Sequence, residues 1–133
     1  MTESQAIDRW IGVQSFCVTG AQGALGRRLV RRLAAGGAKR IVAFDVQPPS
    51  SDNQATVTPV VEQVTGSVLN SGDLDLAVSE CSVVFHLAAL VQVGGSELDP
   101  ISYFEANGLG SARTFDACRR AGVERLVYAS TSH

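Results

Sequence analysis

Short apolar runs divided by glycine-rich or polar breaks set the pattern of this chain. Val13 to Val18 reads as a short buried strand, and after it Leu25, Leu29, Val30 and Leu33 recur at helical spacing until Gly36-Gly37 stops the helix. Ile41-Val42-Ala43-Phe44 follows as a second buried strand that ends in Asp45. Pro48-Pro49-Ser50-Ser51-Asp52-Asn53 is turn-rich and polar, hence a surface loop. Thr56 to Val64 is β-branched with Pro59 inside, so it is either an edge strand or a strand that starts after the proline. Gly66-Ser67-Val68 leaves that strand, and Ser71 is placed to cap a short helix through Leu74, Leu76, Ala77 and Val78. Ser82 to Leu87 is the next buried strand, and Gly94-Gly95-Ser96 breaks the chain. After Pro100 the spacing predicts a long helix to about Ala121, with Phe104, Leu109, Ala112, Phe115 and Cys118 on or near its buried face. Gly122 closes it, and Arg125 to Ala129 forms a last strand before Ser130-Thr131-Ser132.

Strands alternating with helices at short spacing imply parallel pairing through right-handed crossovers. The expected fold is therefore α/β, a Rossmann-type doubly wound parallel sheet of five strands. Residues 13–133 form its one domain and 1–12 an N-terminal extension. In such a sheet ligands bind beyond the carboxyl ends of the strands.

Chemistry enters at the turn between the first strand and helix, where Gly20, Gly23 and Gly26 are spaced G-x-x-G-x-x-G. The first glycine permits backbone angles closed to residues with a Cβ. The second lets the backbone approach a pyrophosphate, and the third lets the helix pack closely on the sheet. Free N–H groups at the helix start then meet the phosphate charge. Asp45 lies at the end of the second strand, roughly 20 positions after the turn, where adenosine ribose hydroxyls are held. A carboxylate there repels a 2′-phosphate, which favours NAD over NADP. Without a ligand, the same residues are an ordinary strand-helix turn and a loop carboxylate.

Composition narrows the class. The chain has 133 residues, 45% hydrophobic and 18% charged, which fits one globular domain. A formal charge of −2 gives no electrostatic case for nucleic acid or an anionic membrane. Arg27, Arg28, Arg31 and Arg32 cluster early in the first predicted helix, as a solvated face or as a contact to phosphate or a partner. No apolar stretch approaches the roughly 20 residues of a membrane span. The polar start Met1-Thr2-Glu3-Ser4-Gln5 lacks the form of a signal peptide, so a cytoplasmic protein is expected. Cys17, Cys81 and Cys118 are widely separated and read as small buried hydrophobes, without the pairing of a zinc site. His86 ends an apolar strand and belongs to no recognisable ligand set.

Five segments then carry one resemblance. They are Thr19-Gly20-Ala21-Gln22-Gly23-Ala24-Leu25-Gly26, Phe44-Asp45, Val83-Val84-Phe85-His86-Leu87-Ala88-Ala89, Asn107-Gly108-Leu109-Gly110-Ser111, and Arg125-Leu126-Val127-Tyr128-Ala129-Ser130-Thr131-Ser132. In this order they resemble the N-terminal part of an extended short-chain dehydrogenase/reductase, the group that contains sugar-nucleotide epimerases and dehydratases and the 3β-hydroxysteroid dehydrogenases. Among subgroups, His86 to Val91 and Asp116 to Val123 look most like the steroid and sterol dehydrogenase branch.

The resemblance implies NAD as cofactor. It places Gly20, Gly23 and Gly26 along the pyrophosphate with Gln22, Ala24 and Leu25 among the cofactor-binding residues of the same turn, Asp45 at the adenosine ribose, and Leu87, Ala88 and Ala89 on the cofactor side of the fourth strand. Thr131 matches the Ser or Thr that bonds the reacting oxygen, Ser130 beside it is a cofactor-binding residue, and Asn107 matches an asparagine that supports the cofactor site or serves structure alone. Where the family has an acidic residue against adenine, this chain has Ser67-Val68, so that contact falls to the backbone or the Ser67 hydroxyl. The family also uses a tyrosine as acid–base, tuned by a lysine four residues later. An unperturbed phenol, with a pKa of about 10, needs such help at neutral pH. Here Tyr103 is followed by Asn107 and Tyr128 by Ser132. By this resemblance the Rossmann-type sheet is truncated after its fifth strand, and the later strands, the Tyr-x-x-x-Lys pair and the substrate-binding part would lie beyond His133. Two readings stay open: the N-terminal portion of an NAD-dependent oxidoreductase or epimerase for a small-molecule hydroxyl or keto substrate, or a non-catalytic NAD-binding or interaction module. An exposed sheet edge predicts self-association, and hence a homo-oligomer.

Overall fold

The computed structural model describes residues 1–51, 58, 60–91, 97 and 99–130. Five strands, β1 Ser15–Thr19, β2 Arg40–Asp45, β3 Val61–Thr65, β4 Val83–His86 and β5 Arg125–Tyr128, form one sheet in the order β3-β2-β1-β4-β5. Every pairing is parallel, and the register sets Cys17 beside Val42 on one side and Val84 on the other. The chain order reverses between β1 and β4, so the sheet is doubly wound as expected, with its switch point there.

Helices cover both faces, which is why the central strands read as unbroken apolar runs. On one face α1 Glu3–Ile11 and α2 Ala24–Ala35 pack over Phe16, Val18, Ile41, Ala43 and Val83. On the other, α3 Ser71–Val78 and α5 Gly110–Ala121 pack over Cys17, Val42, Phe44 and Val84. Period-two alternation along β1 therefore sends Phe16 and Val18 one way and Cys17 the other. The thiols of Cys17, Cys81 and Cys118 are free and buried in this second layer.

Helix α1 has no counterpart in the hydrophobic pattern described above, and its origin is local. The Thr2 hydroxyl accepts from the Gln5 backbone N–H at 3.2 Å while Gln5 Oε1 accepts from the Thr2 N–H at 2.8 Å, a reciprocal cap. The helix then docks. Trp10 meets Phe16 edge-on at 5.7 Å, Ile11 is buried, Asp8 pairs with Arg32 at 2.7 Å, and the Arg125 guanidinium sits 5.9 Å above the Trp10 ring. One arginine of the early α2 cluster thus serves an intramolecular contact.

Several expectations need correction. Val13 is exposed and lies outside β1, and Leu25 and Leu76 point away from the core. The α3 cap is Asn70, whose Oδ1 accepts from the Asp73 N–H at 3.0 Å, and Ser71 is the first helical residue. Strand β3 starts at Val61 and is an edge, so both alternatives for that segment hold together. Pro59, residues 52–57 and Gly94-Gly95-Ser96 lie outside the described residues.

The long helix after Pro100 is continuous but not uniform. It starts as α4 Pro100–Tyr103, capped by Asp99, widens into a π-helical turn Phe104–Leu109, and resumes as α5. Phe104, Leu109, Ala112 and Phe115 are exposed, and of the expected buried face only Cys118 is buried. The residues that face inward are Gly110, Ser111, Thr114, Ala117 and Cys118. Small side chains are needed there because the helix lies so close to α3 and its loop that a Cβ on Gly110 would stand 2.6 Å from Val68 Cγ2.

Candidate functional site

A cleft of about 560 Å³ opens at the carboxyl ends of the strands, on the side where the chain order reverses. The glycine turn forms its floor. Gly20 has φ +72°, and a Cβ there would stand 2.8 Å from the Ala88 nitrogen, so only glycine lets the β1 and β4 ends approach. A Cβ on Gly26 would overlap the Gly20 carbonyl, which ties the third glycine to close packing of α2 under the turn. Gly23 differs: among the described residues a Cβ would meet only the Gly20 carbonyl, at 3.3 Å. Gly23 is also the N-cap of α2 and supplies no side-chain acceptor, and that first turn holds no acidic residue. The free N–H groups and positive end of the helix dipole therefore face the cleft uncompensated, a setting that suits a phosphate.

Asp45 stands at the rim. Its Oδ2 accepts from the Gln22 backbone N–H at 2.9 Å and its Oδ1 from the Gln47 N–H at 2.9 Å. Both oxygens are thus fixed by backbone amides, one of them from the glycine turn itself, and the carboxylate lines the cleft. Gln22 does not line it; its side-chain amide donates to Gln63 on β3 at 3.0 Å. Ser67, Val68 and Leu69 form the wall beyond Asp45. The Ser67 N–H donates to Asp73 at 3.0 Å and its hydroxyl accepts from the Leu69 N–H at 3.1 Å, which leaves the hydroxyl proton and one lone pair for a ligand. Ala24 and Leu25 line the same space, which explains why Leu25 is exposed.

The opposite wall is the segment Leu87 to Val91 after β4, with Ala106 and Ala129 beyond it. It rests on a polar cluster that the sequence pattern did not reveal. His86 is 1% exposed and lies between the Thr19 hydroxyl, 2.7 Å from Nδ1, and the Ser111 hydroxyl, 2.9 Å from Nε2. Its ring stacks on Tyr128 at 5.8 Å and meets Phe115 edge-on at 6.0 Å. Burial pulls its pKa down to about 4 from 6.5, so it is neutral at pH 7. Asn107 does not line the cleft; its side chain grips Leu90, accepting from the N–H at 2.7 Å and donating to the carbonyl at 2.9 Å. The one signal available in sequence was a histidine ending an otherwise apolar strand.

Cysteine chemistry is disfavoured. Burial raises the Cys17 thiol well above its ordinary value and lifts Cys81 and Cys118 to about 11, so none is a thiolate at neutral pH. Among the described residues no cluster of His, Cys, Asp and Glu could hold a metal, and no helix is long and apolar enough to cross a membrane.

The profile of the NAD dependent epimerase/dehydratase family matches residues 16–133. The chain belongs to this family. It is 35% identical over 114 residues to 2-alkyl-3-oxoalkanoate reductase of Shewanella oneidensis, a match that covers 86% of this chain and 27% of that protein. It is 32% identical over 119 residues to 3 beta-hydroxysteroid dehydrogenase type 7 of Mus musculus, covering 87% of this chain and 32% of the other. Among solved structures, MoeE5 in complex with UDP-glucose and NAD superposes with a TM-score of 0.77 at 38% identity, over 89% of this chain and 36% of MoeE5. The chain thus spans about a third of the length of these three proteins. The family's members include sugar-nucleotide and steroid enzymes alike, in line with the resemblance carried by the five segments.

Of the residues singled out in the sequence, the fold gathers Gly20, Gly23, Ala24, Leu25, Gly26, Asp45, Ser67, Val68, Leu87, Ala88 and Ala89 around one cleft. Gln22 and Asn107 stand behind it as supports. Ser130 is exposed just past β5 and outside the lining, and Thr131 lies outside the described residues.

Proposed function

We propose that this chain is the NAD-binding portion of an oxidoreductase or epimerase that acts on a hydroxyl or keto group. The observation that carries this reading is Asp45, with both carboxylate oxygens fixed by backbone amides at the rim of a cleft floored by an uncapped, glycine-led helix. The donor set fits the cofactor: N–H groups and a helix dipole for the pyrophosphate, a fixed carboxylate for ribose hydroxyls, and an apolar wall for adenine. Gly23 and the first turn of α2 would hold the phosphates, Asp45 the adenosine ribose, and Val68 with Leu69 the adenine face. NAD supplies a site that accepts or returns hydride; what the chain's own residues do is bind, orient and exclude water. MoeE5 holds UDP-glucose together with NAD, and a sugar-nucleotide or sterol-type substrate for the whole protein is proposed on that footing.

The test is calorimetry with the chain as it stands. NAD is expected to bind and NADP to bind at least about tenfold more weakly, because a 2′-phosphate would meet the Asp45 carboxylate. Asp45→Ala should narrow that gap by weakening NAD. Tighter binding of NADP than NAD by the unaltered chain would defeat the assignment. The sequence contains no Tyr-x-x-x-Lys pair, so hydride transfer by this chain alone is expected to be undetectable. Measurable turnover of any alcohol would show that another acid–base group serves.

A further inference from the structure

We propose that His86, held in its Nε2–H tautomer between Thr19 and Ser111, is a positioning residue that fixes the Leu87–Leu90 wall against the nicotinamide side of the cofactor. This rests on the NAD-binding reading and adds to it a residue outside the cleft lining.

Donor and acceptor counting at both ends of the imidazole leads to the same tautomer. The Thr19 hydroxyl oxygen accepts from the Ala88 N–H at 3.2 Å and from the Leu87 N–H at 3.1 Å, the latter shared with the Thr19 carbonyl at 3.2 Å. Its two lone pairs are thereby used, and its single proton is left to donate to His86 Nδ1, 2.7 Å away. At the other end the Ser111 hydroxyl donates to the Asn107 carbonyl at 2.6 Å. Its oxygen is then an acceptor, and His86 Nε2, 2.9 Å away, must be the donor. A proton on Nδ1 would leave Thr19 facing a donor with no lone pair to offer.

The chain of bonds closes around the cleft wall. Thr19, the residue before the glycine turn, pins Leu87 and Ala88, while His86 passes the constraint to Ser111 and Ser111 to the Asn107 carbonyl. The Asn107 side chain then grips Leu90 from both backbone atoms. Residues at both ends of the wall are thus set by one network, buried at Thr19 and His86, which are 0% and 1% exposed, and open to solvent at the Asn107–Leu90 bonds. Such a network specifies one geometry only when every member is satisfied. The π-helical turn belongs to the same device, since it contains Asn107 and hands over to α5 one residue before Ser111. Strand order puts this wall on the β4 side of the glycine turn, away from Asp45 and Ser67. A shift of the wall should therefore be felt by the half of NAD beyond the pyrophosphate and not by its adenosine half.

The experiment compares NAD with ADP as ligands of the unaltered chain, His86→Phe and Ser111→Ala, by calorimetry. Phenylalanine keeps a ring against Tyr128 and Phe115 while removing both hydrogen bonds. The expected result is a loss of about tenfold or more in NAD affinity in His86→Phe, a smaller loss in Ser111→Ala, and ADP affinity changed by less than about threefold in both. Equal losses for NAD and ADP, or no loss for either, would overturn the positioning role while leaving the cofactor reading intact. Failure of the unaltered chain to bind either ligand would overturn both. Should His86→Phe not fold, Ser111→Ala and the unaltered ring decide. Long-range proton–nitrogen spectra at pH 7 should show His86 with Nδ1 bare and Nε2 protonated, and a protonated Nδ1 would refute the network.

Discussion

Glycines with the same name in the sequence carry different burdens. Gly26 is buried and a Cβ on it would overlap the Gly20 carbonyl, whereas Gly37 has φ +83° with none of the described residues within 4 Å of a Cβ. Gly37→Ala should therefore lower stability by about 1 kcal/mol, the strain of the left-handed backbone alone. Gly26→Ala should cost about 2–3 kcal/mol or more, because the turn must open. Urea titrations of the two variants check the order, and an equal loss would mean that α2 is not wedged under the turn. His86 adds a pH signature. Its folded pKa of about 4 lies below the ordinary 6.5, so the unfolded chain takes up the proton first as pH falls. Its burial costs the fold nothing above about pH 6.5, and between there and about pH 4 the penalty grows to roughly 3 kcal/mol. Unfolding free energies at pH 7 and 4.5 should fall further in the unaltered chain than in His86→Phe; parallel losses would show that carboxylates alone set the acid limb.

At the level of elements, the caps separate two serine and asparagine neighbours. Asn70→Ala should destabilise by about 1 kcal/mol through loss of the α3 cap, while Ser71→Ala should stay within about 0.5 kcal/mol. Thermal unfolding of the pair tests this directly. Removal of residues 1–12 should also lower the melting temperature, since it takes away the buried Ile11 and the Trp10 contact with Phe16. The strands were legible because each is a short apolar run buried on both faces, and the glycine turn because its spacing follows from steric need. Helix α1 was not, since only Trp10 and Ile11 of its nine residues pack apolar surface on the core, too few to leave a periodic stripe. The face of α5 was misread for two physical reasons. The π-helical turn breaks the 3.6 period upstream of it, and close packing there selects Gly110, Ser111, Thr114 and Ala117 over larger apolar residues. In the candidate site the polar supports Thr19, His86 and Ser111 were hidden as well, because a buried hydrogen-bond network joins residues far apart in sequence and leaves no spacing to read.

For the molecule as a whole, the surface is uneven. Ile101 and Phe104 are 71% and 73% exposed, and Leu109, Phe115, Val127 and Tyr128 are also open to solvent, all from the α4–α5 and β5 side. Apolar surface of this kind favours association. Sedimentation of the chain should be concentration-dependent, and Phe104→Ser should reduce that dependence; a monomer at every concentration would argue against it. The opposite layer offers a different consequence. All three sulfhydryls sit together under α3 and α5, and none belongs to the α1–α2 layer. A membrane-permeable or soluble thiol reagent therefore finds no target in the native chain, and modification waits on the parting of α3 and α5 from the sheet. The chain carries its own clock for that event: the rate of labelling reads how often one half of the sandwich opens, independently of the half that carries the glycine turn.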